Sequence, residues 1–270
     1  MPSPDMAEAA DRSPHLVTEF ASPADEFLAH ACLTYGGDDE ARIAHARDLL
    51  AEHPGIDGIA VAVVLGDVRR VRSWIERDPE AATAQTGPFA WEPLLYLTYG
   101  RFGGGDPVGV AEVLLAAGAD PDSGYLWEGL PSPFTALTGC FGRGEGDQPP
   151  HPDGLALARV LLVAGADPND NQTLYNRQFR TDDDHLRLLF EFGLGRGAPR
   201  WSMAPEPARM LHDVLLWAAS TGQRDRVALL LAHGVDPDPG IEGHPIHRGA
   251  TPRELAEHAG HPEVADLLRP

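Results

Sequence analysis

GADPNDNQTLYNRQFRTDDDHLRLLFEFG, residues 165–193, reads as one unit of an internal repeat. A glycine and an Asp-Pro turn open it, two short helical segments follow, and a second glycine closes it. Its closing pattern recurs along the chain as VLLAAGADPD, VLLVAGADPN, LLFEFGLGRG and LLLAHGVDPD, whose glycines are Gly118, Gly165, Gly193 and Gly234. Each glycine suits a left-handed helix cap, and in three of the four an Asp-Pro then starts a turn. The intervals between these glycines run from 28 to 47 residues, as expected for stacked helix pairs.

Outward from this unit the same grammar holds. Over residues 58–82, two helices flank Gly66-Asp67, and Val68, Val71, Trp74 and Ile75 set the core face of the second. Residues 25–35 and 40–53 read as an earlier pair, broken at GGDD, residues 36–39. Leu33-Thr34-Tyr35-Gly36 and Leu97-Thr98-Tyr99-Gly100 read as a further repeated element. Residues 1–22 carry three Ser-Pro pairs without sustained periodicity and are expected to form a mobile arm.

Composition narrows the function. The net charge is −20 and no basic patch stands out, so nucleic-acid binding is not expected. All 21 basic residues are arginine. Without lysine the chain forms no Schiff base and supplies neither a P-loop lysine nor a kinase lysine. That composition fits a high-GC bacterial genome. No apolar run reaches the length of a membrane span and no secretory leader is apparent, so a cytoplasmic protein is expected. Cys32 and Cys140 read as buried thiols in a reducing compartment.

Several openings complete the pattern: Thr251-Pro252 with Leu255-Ala256 and Gly260-His261, then Leu215-Leu216-Trp217-Ala218-Ala219 with Gly222 and Leu229-Leu230-Leu231. Glu92-Pro93-Leu94 and Thr135-Ala136-Leu137 are weaker versions. On these residues the chain resembles the ankyrin-repeat family, whose units open with T-P-L-H-x-A. It is similar to uncharacterised ankyrin-repeat proteins of high-GC bacteria. The resemblance implies an all-α solenoid of stacked helix pairs with short connecting turns or hairpins. It covers residues 23–270 in six or seven units, the first and last atypical, and implies a non-catalytic module that binds a protein or small-molecule ligand on its concave face.

Set on that pattern, the 165–193 unit is aberrant. Arg177 and Gln178 stand at the alanine pair, Thr181 at the inter-helix glycine and Asp183 at an outer-helix core leucine. Buried charges without partners cost several kcal/mol. Either this patch is a functional site, in which case Ala at 177 and 178 would stabilise the fold, or Arg177 clamps Asp183 or Asp184. Two lengthened loops, 100–106 and 142–154, add His151 and Asp153. If stacking gathers these beside Asp182, Asp183 and His185, a divalent metal or acid–base chemistry becomes conceivable; otherwise the loops face water.

The connecting fingers are aromatic. Trp91, Tyr125 and Trp127 either anchor a partner or fold under to cover the next unit. The expected binding set is Trp91, Tyr96, Tyr125, Trp127, Glu128, Tyr175, Asn176 and Arg177. An acid–base cyclase or hydrolase is the alternative, with Glu128, His151, Asp183, Asp184 and His185 as its catalytic residues. No cofactor or resident metal is expected: HExxH and a cysteine cluster are missing, and Asp167-x-Asn169-x-Asn171 has Gln172 where a calcium loop needs glycine. His244 and His247 are closely spaced without completing a motif.

Overall fold

A computed structural model describes residues 13–37, 40–241 and 249–269 of the chain. Residues 1–12, the Asp38-Asp39 part of the predicted break, and His244 and His247 lie outside the described residues. Within them the fold is all-α apart from one two-stranded hairpin.

The helices come in pairs: α1 (Pro23–Ala31) with α2 (Glu40–Glu52), α3 (Ile59–Val64) with α4 (Val68–Arg77), and α5 (Pro93–Tyr99) with α6 (Pro107–Ala116). Next come α7 (Ala136–Phe141) with α8 (Gly154–Val163), then α9 (Asn171–Arg177) followed by α10 (Asp184–Glu191). The last pairs are α11 (Pro207–Ser220) with α12 (Arg224–Ala232), and α13 (Pro252–His258) with α14 (Pro262–Leu267). The first helix of each pair packs on the first helix of the next, from α1 through α13. Among the second helices, α4, α6, α8 and α10 pack in succession and α12 packs on α14.

This layering explains the hydropathy. α3, α5 and α7 have neighbours on both sides and a partner behind, so every residue in them is buried. In α4, Val71 is buried while Val68, Trp74 and Ile75 pack against the core from its edge, the face read from their spacing. Helix starts are set by side chains that accept an orphan N–H: Asp67 for α4, Asp106 for α6, Asp170 for α9, and capping boxes at Thr135 and Thr251. Gly118, Gly165, Gly193 and Gly234 all have φ between 81° and 105°, as the cap reading requires. In the three Asp-Pro turns, Asp120, Asp167 and Asp236 accept from the backbone N–H two residues on, at 3.0, 2.9 and 2.9 Å.

Two expectations change. Helix α1 stops at Ala31, and residues 32–34 run beside the end of α5 before Tyr35 turns into the left-handed region (φ 57°), with Leu33 N–H donating to Tyr99 O and Arg101 N–H to Ala31 O. The two Leu-Thr-Tyr-Gly copies are therefore neighbours in different conformations, one helical and one not. The described part of the arm is also docked: Ser13 is buried, its hydroxyl accepts from Glu128 N–H at 2.6 Å, and His15 stacks on Trp127 at 3.9 Å.

Candidate functional site

The fingers fold inward. Residues 86–91 and the hairpin of β1 (Gly124–Leu126) and β2 (Pro133–Thr135) bring Phe89, Trp91, Tyr125 and Phe134 onto α5. Trp91 stacks on Tyr125 with centroids 5.0 Å apart and meets Tyr96 at 5.3 Å and Tyr99 at 5.1 Å. Trp91, Tyr96 and Tyr125 are 2, 0 and 5% exposed. The Tyr96 hydroxyl donates to Thr86 O and accepts from Phe89 N–H. These three side chains cover core. Trp127 is half-buried against His15 and Tyr35, and Glu128 faces His15 Nε2 at 2.9 Å.

The 165–193 segment holds an ion-pair seam. Arg177, 3% exposed, donates from Nη2 to Asp182 and Asp184, each at 2.7 Å. Asp183 precedes α10 rather than lying within its core face, and its buried carboxylate pairs with Arg226 Nε at 2.6 Å. Arg226, 1% exposed, also caps the carbonyls of Gln178, Arg180 and Asp182. His185 is buried beside Phe141, and burial, then the charges of Arg177 and Arg226, hold its imidazole well below the usual histidine range. Asn176 is buried too, bonded to Gln172 and to Tyr35 Oη. Asn176 and Arg177 are thus structural rather than accessible.

His151 does not join them. Its Nδ1 accepts from Asp153 N–H at 3.0 Å, and burial, then Arg101, lower its pKa to about 3. The long 142–154 loop reaches the aberrant unit through other groups: Gly144 N–H to Asn176 O, Asp147 to Arg180, and Glu145 to Tyr175. The acid–base set Glu128, His151, Asp183, Asp184 and His185 is therefore dispersed over separate structural contacts. Among the described residues, one group of His, Cys, Asp and Glu side chains lies close enough to share a metal ion, Glu26, His30 and His45, far in sequence from that set.

An open cleft of 390 Å³ lies between α9 and α11. Tyr175, Phe179 and Trp217 meet edge to face along it, with centroids 5.4 and 5.1 Å apart. Leu174, Met210 and Val214 form its apolar floor. Two carboxylates border it. Glu145 accepts from Tyr175 Oη at 2.5 Å, and Asp213 receives Arg209 Nε at 2.8 Å. Burial, then Glu145, pushes the Tyr175 phenol up to about 12, so it remains a donor at neutral pH. The Trp217 indole N–H is buried without a protein partner. Among the described residues, no arginine lines the cleft.

Of the expected binding residues, Tyr175 alone combines high exposure, 42%, with a place in this cleft. Phe179, Trp217, Glu145 and Asp213 were not among the expected site residues, although Glu145 lies in the lengthened 142–154 loop and Trp217 in one of the repeat openings. Arg101 was missed as well. It donates to the carbonyls of Thr98, Gly100, Gly139 and Pro149, a buried cap that ties the 142–154 loop to α5 and α7.

The chain matches no protein-family model and no curated protein.

Proposed function

We propose that this chain is an ankyrin-repeat solenoid acting as a binding module, and that a partner protein inserts a basic side chain into the α9–α11 cleft. The succession of first helices and of second helices, the glycine-ended second helices and the Asp-Pro turns support the solenoid reading. The observation that carries the binding reading is the uncovered Tyr175–Phe179–Trp217 wall between Glu145 and Asp213. Aromatic faces attract cations, by about 0.5–1 kcal/mol when exposed and about 2 when desolvated. The flanking carboxylates and the overall charge of −20 add attraction for a basic partner. The volume falls within the range for a ligand site, but none of the five acid–base candidates lines it, which favours recognition over catalysis. No helix among the described residues is long and apolar enough to cross a membrane. The free, buried Cys32 and Cys140 fit a reducing cytoplasm, and we place the protein there.

The test is a titration of N-acetyl-arginine amide against the indole N–H signals, with Trp217 assigned through Trp217→Phe. A saturable shift confined to Trp217, absent with N-acetyl-leucine amide, is expected. An equal response to both amides, or none, overturns the reading.

A further inference from the structure

We propose a divalent transition-metal site made by Glu26, His30 and His45, which fastens α2 to α1. Glu26 and His30 are one turn apart on α1, hence on one face, and His45 projects from the middle of α2. Their ligand atoms all lie within 4.8 Å of one another. His45 Nε2 is 3.1 Å from Glu26 Oε1, and the His30 and His45 rings meet nearly perpendicular with centroids 4.6 Å apart. A small closure of the three side chains brings them to a shared ion.

Three features point to a ligand rather than an ordinary ion pair. His30 carries a buried Nδ1 with no hydrogen-bond partner among the described residues. Two imidazoles and a carboxylate suit zinc, nickel or cobalt, whereas calcium and magnesium prefer all-oxygen sets. The position also answers a structural need. Helix α2 buries only Ala46 and Leu49, and α1 is its main packing partner. An ion bridging the two helices would add a tie that apolar contact scarcely supplies there, and binding energy of this kind is stability. Three protein ligands leave a coordination position open. His30 also lines a 380 Å³ cavity bounded by Arg42, Arg101 and the 149–152 turn, room for a water or a small anion on the metal. Arg42 opposes the cation, but its guanidinium is directed to Ala29 O and Thr34 Oγ1.

The full chain, stripped with chelator, is titrated with Co²⁺ and Zn²⁺ and followed by visible absorption, calorimetry and hydrogen exchange. One ion per chain is expected, with d–d bands, no thiolate charge-transfer band from nearby Cys32, and slowed exchange over residues 40–52. His45→Ala and Glu26→Gln, both at partly exposed side chains, should each weaken binding by more than about 10-fold, the lower end of what loss of an outer-shell partner alone costs, while His261→Ala should not. A sulfur band, a stoichiometry other than one, or unchanged affinity in His45→Ala and Glu26→Gln overturns the site. The outcome is independent of the α9–α11 cleft.

Discussion

The fingers and the α9–α11 cleft are built from the same side chains and use them in opposite ways. Trp91, Tyr125 and Phe134 stack at centroid distances of 5.0 and 5.5 Å, and Tyr175, Phe179 and Trp217 meet at 5.4 and 5.1 Å. The first group is buried; the second borders open space. The difference lies in the chain immediately C-terminal to each group. The hairpin leads straight into α7, which packs on α5 and closes over the rings. After α10 the chain runs through residues 192–206 without a helix, and the wall of α9 stays uncovered. Aromatic content alone does not tell an open surface from core; the cover does.

The sharpest way to break this contrast is to truncate one indole from each region. Trp91→Ala should cost about 3–5 kcal/mol, the usual loss for a large buried aromatic, lowering the melting midpoint by roughly 10 °C at about 2–4 °C per kcal/mol. Trp217→Ala should cost no more than about 1 kcal/mol. Equal losses in thermal unfolding would mean that the cleft is core.

Next in size is the seam beneath the cleft. Arg226→Ala leaves the buried Asp183 carboxylate without its ion-pair partner and removes a donor from the carbonyls of Gln178, Arg180 and Asp182, the first of which keeps Gln223 Nε2. The expected loss is about 3 kcal/mol in denaturant unfolding, and much less when Asp183→Ala accompanies it. Arg177→Ala should lose only about 1 kcal/mol, because Asp182 and Asp184 are 46 and 48% exposed and regain water. That is a fall, opposite in sign to the gain expected from restoring alanine at 177 and 178. A rise in the midpoint would return the seam to consideration as a functional patch.

These residues also show what the sequence made legible. Caps and turns are local: Gly118, Gly165, Gly193 and Gly234 need positive φ, and Thr251 with Glu254 closes its own capping box. Val68, Val71, Trp74 and Ile75 declare their face by spacing. Partnership across units is not local. Asp183 finds Arg226 rather than Arg177, and Arg226 sits in a polar stretch that reads as a solvated helix start. Burial of the fingers depends on a hairpin closing over α5, which no finger residue encodes alone. The metal group was half visible, since Glu26 and His30 share a helix face, but His45 joins them only once α1 and α2 pack.

Acid should act in opposite directions through two buried groups, Asp122 and His151. Burial raises Asp122, at the root of the hairpin, to about 6 from its ordinary 3.8. Its ionised form is a burden fully present above pH 6 and relieved as pH falls through 6 toward 3.8. His151 behaves inversely, lowered from 6.5 to about 3. The unfolded chain takes up its proton below pH 6.5 while the fold does not, so stability is lost from 6.5 down to about 3. Asp122→Asn, whose amide oxygen still accepts from Asp167 N–H, should raise the midpoint at pH 7 by about 2–4 °C, the size of one kcal/mol. The same variant should lose the wild-type relief between pH 7 and 5. His151→Gln should flatten the decline between pH 6.5 and 4. Identical pH profiles in all three proteins would remove both groups from the account.

The smallest effect on stability belongs to the residue with the largest expected effect on binding. Tyr175 is 42% exposed and touches the fold through Phe179 and the Glu145 hydrogen bond. Tyr175→Ala should therefore shift unfolding by no more than about 0.5 kcal/mol. Loss of one aromatic face is worth about 1 kcal/mol to a bound cation, so affinity for N-acetyl-arginine amide should fall about fivefold. Tyr175→Phe keeps the face and releases Glu145 from its phenol, so the carboxylate is free to meet the guanidinium. Affinity in that variant should hold or rise. If Tyr175→Phe falls as far as Tyr175→Ala, the hydroxyl rather than the ring holds the ligand, and the cleft reads hydrogen-bond geometry instead of positive charge.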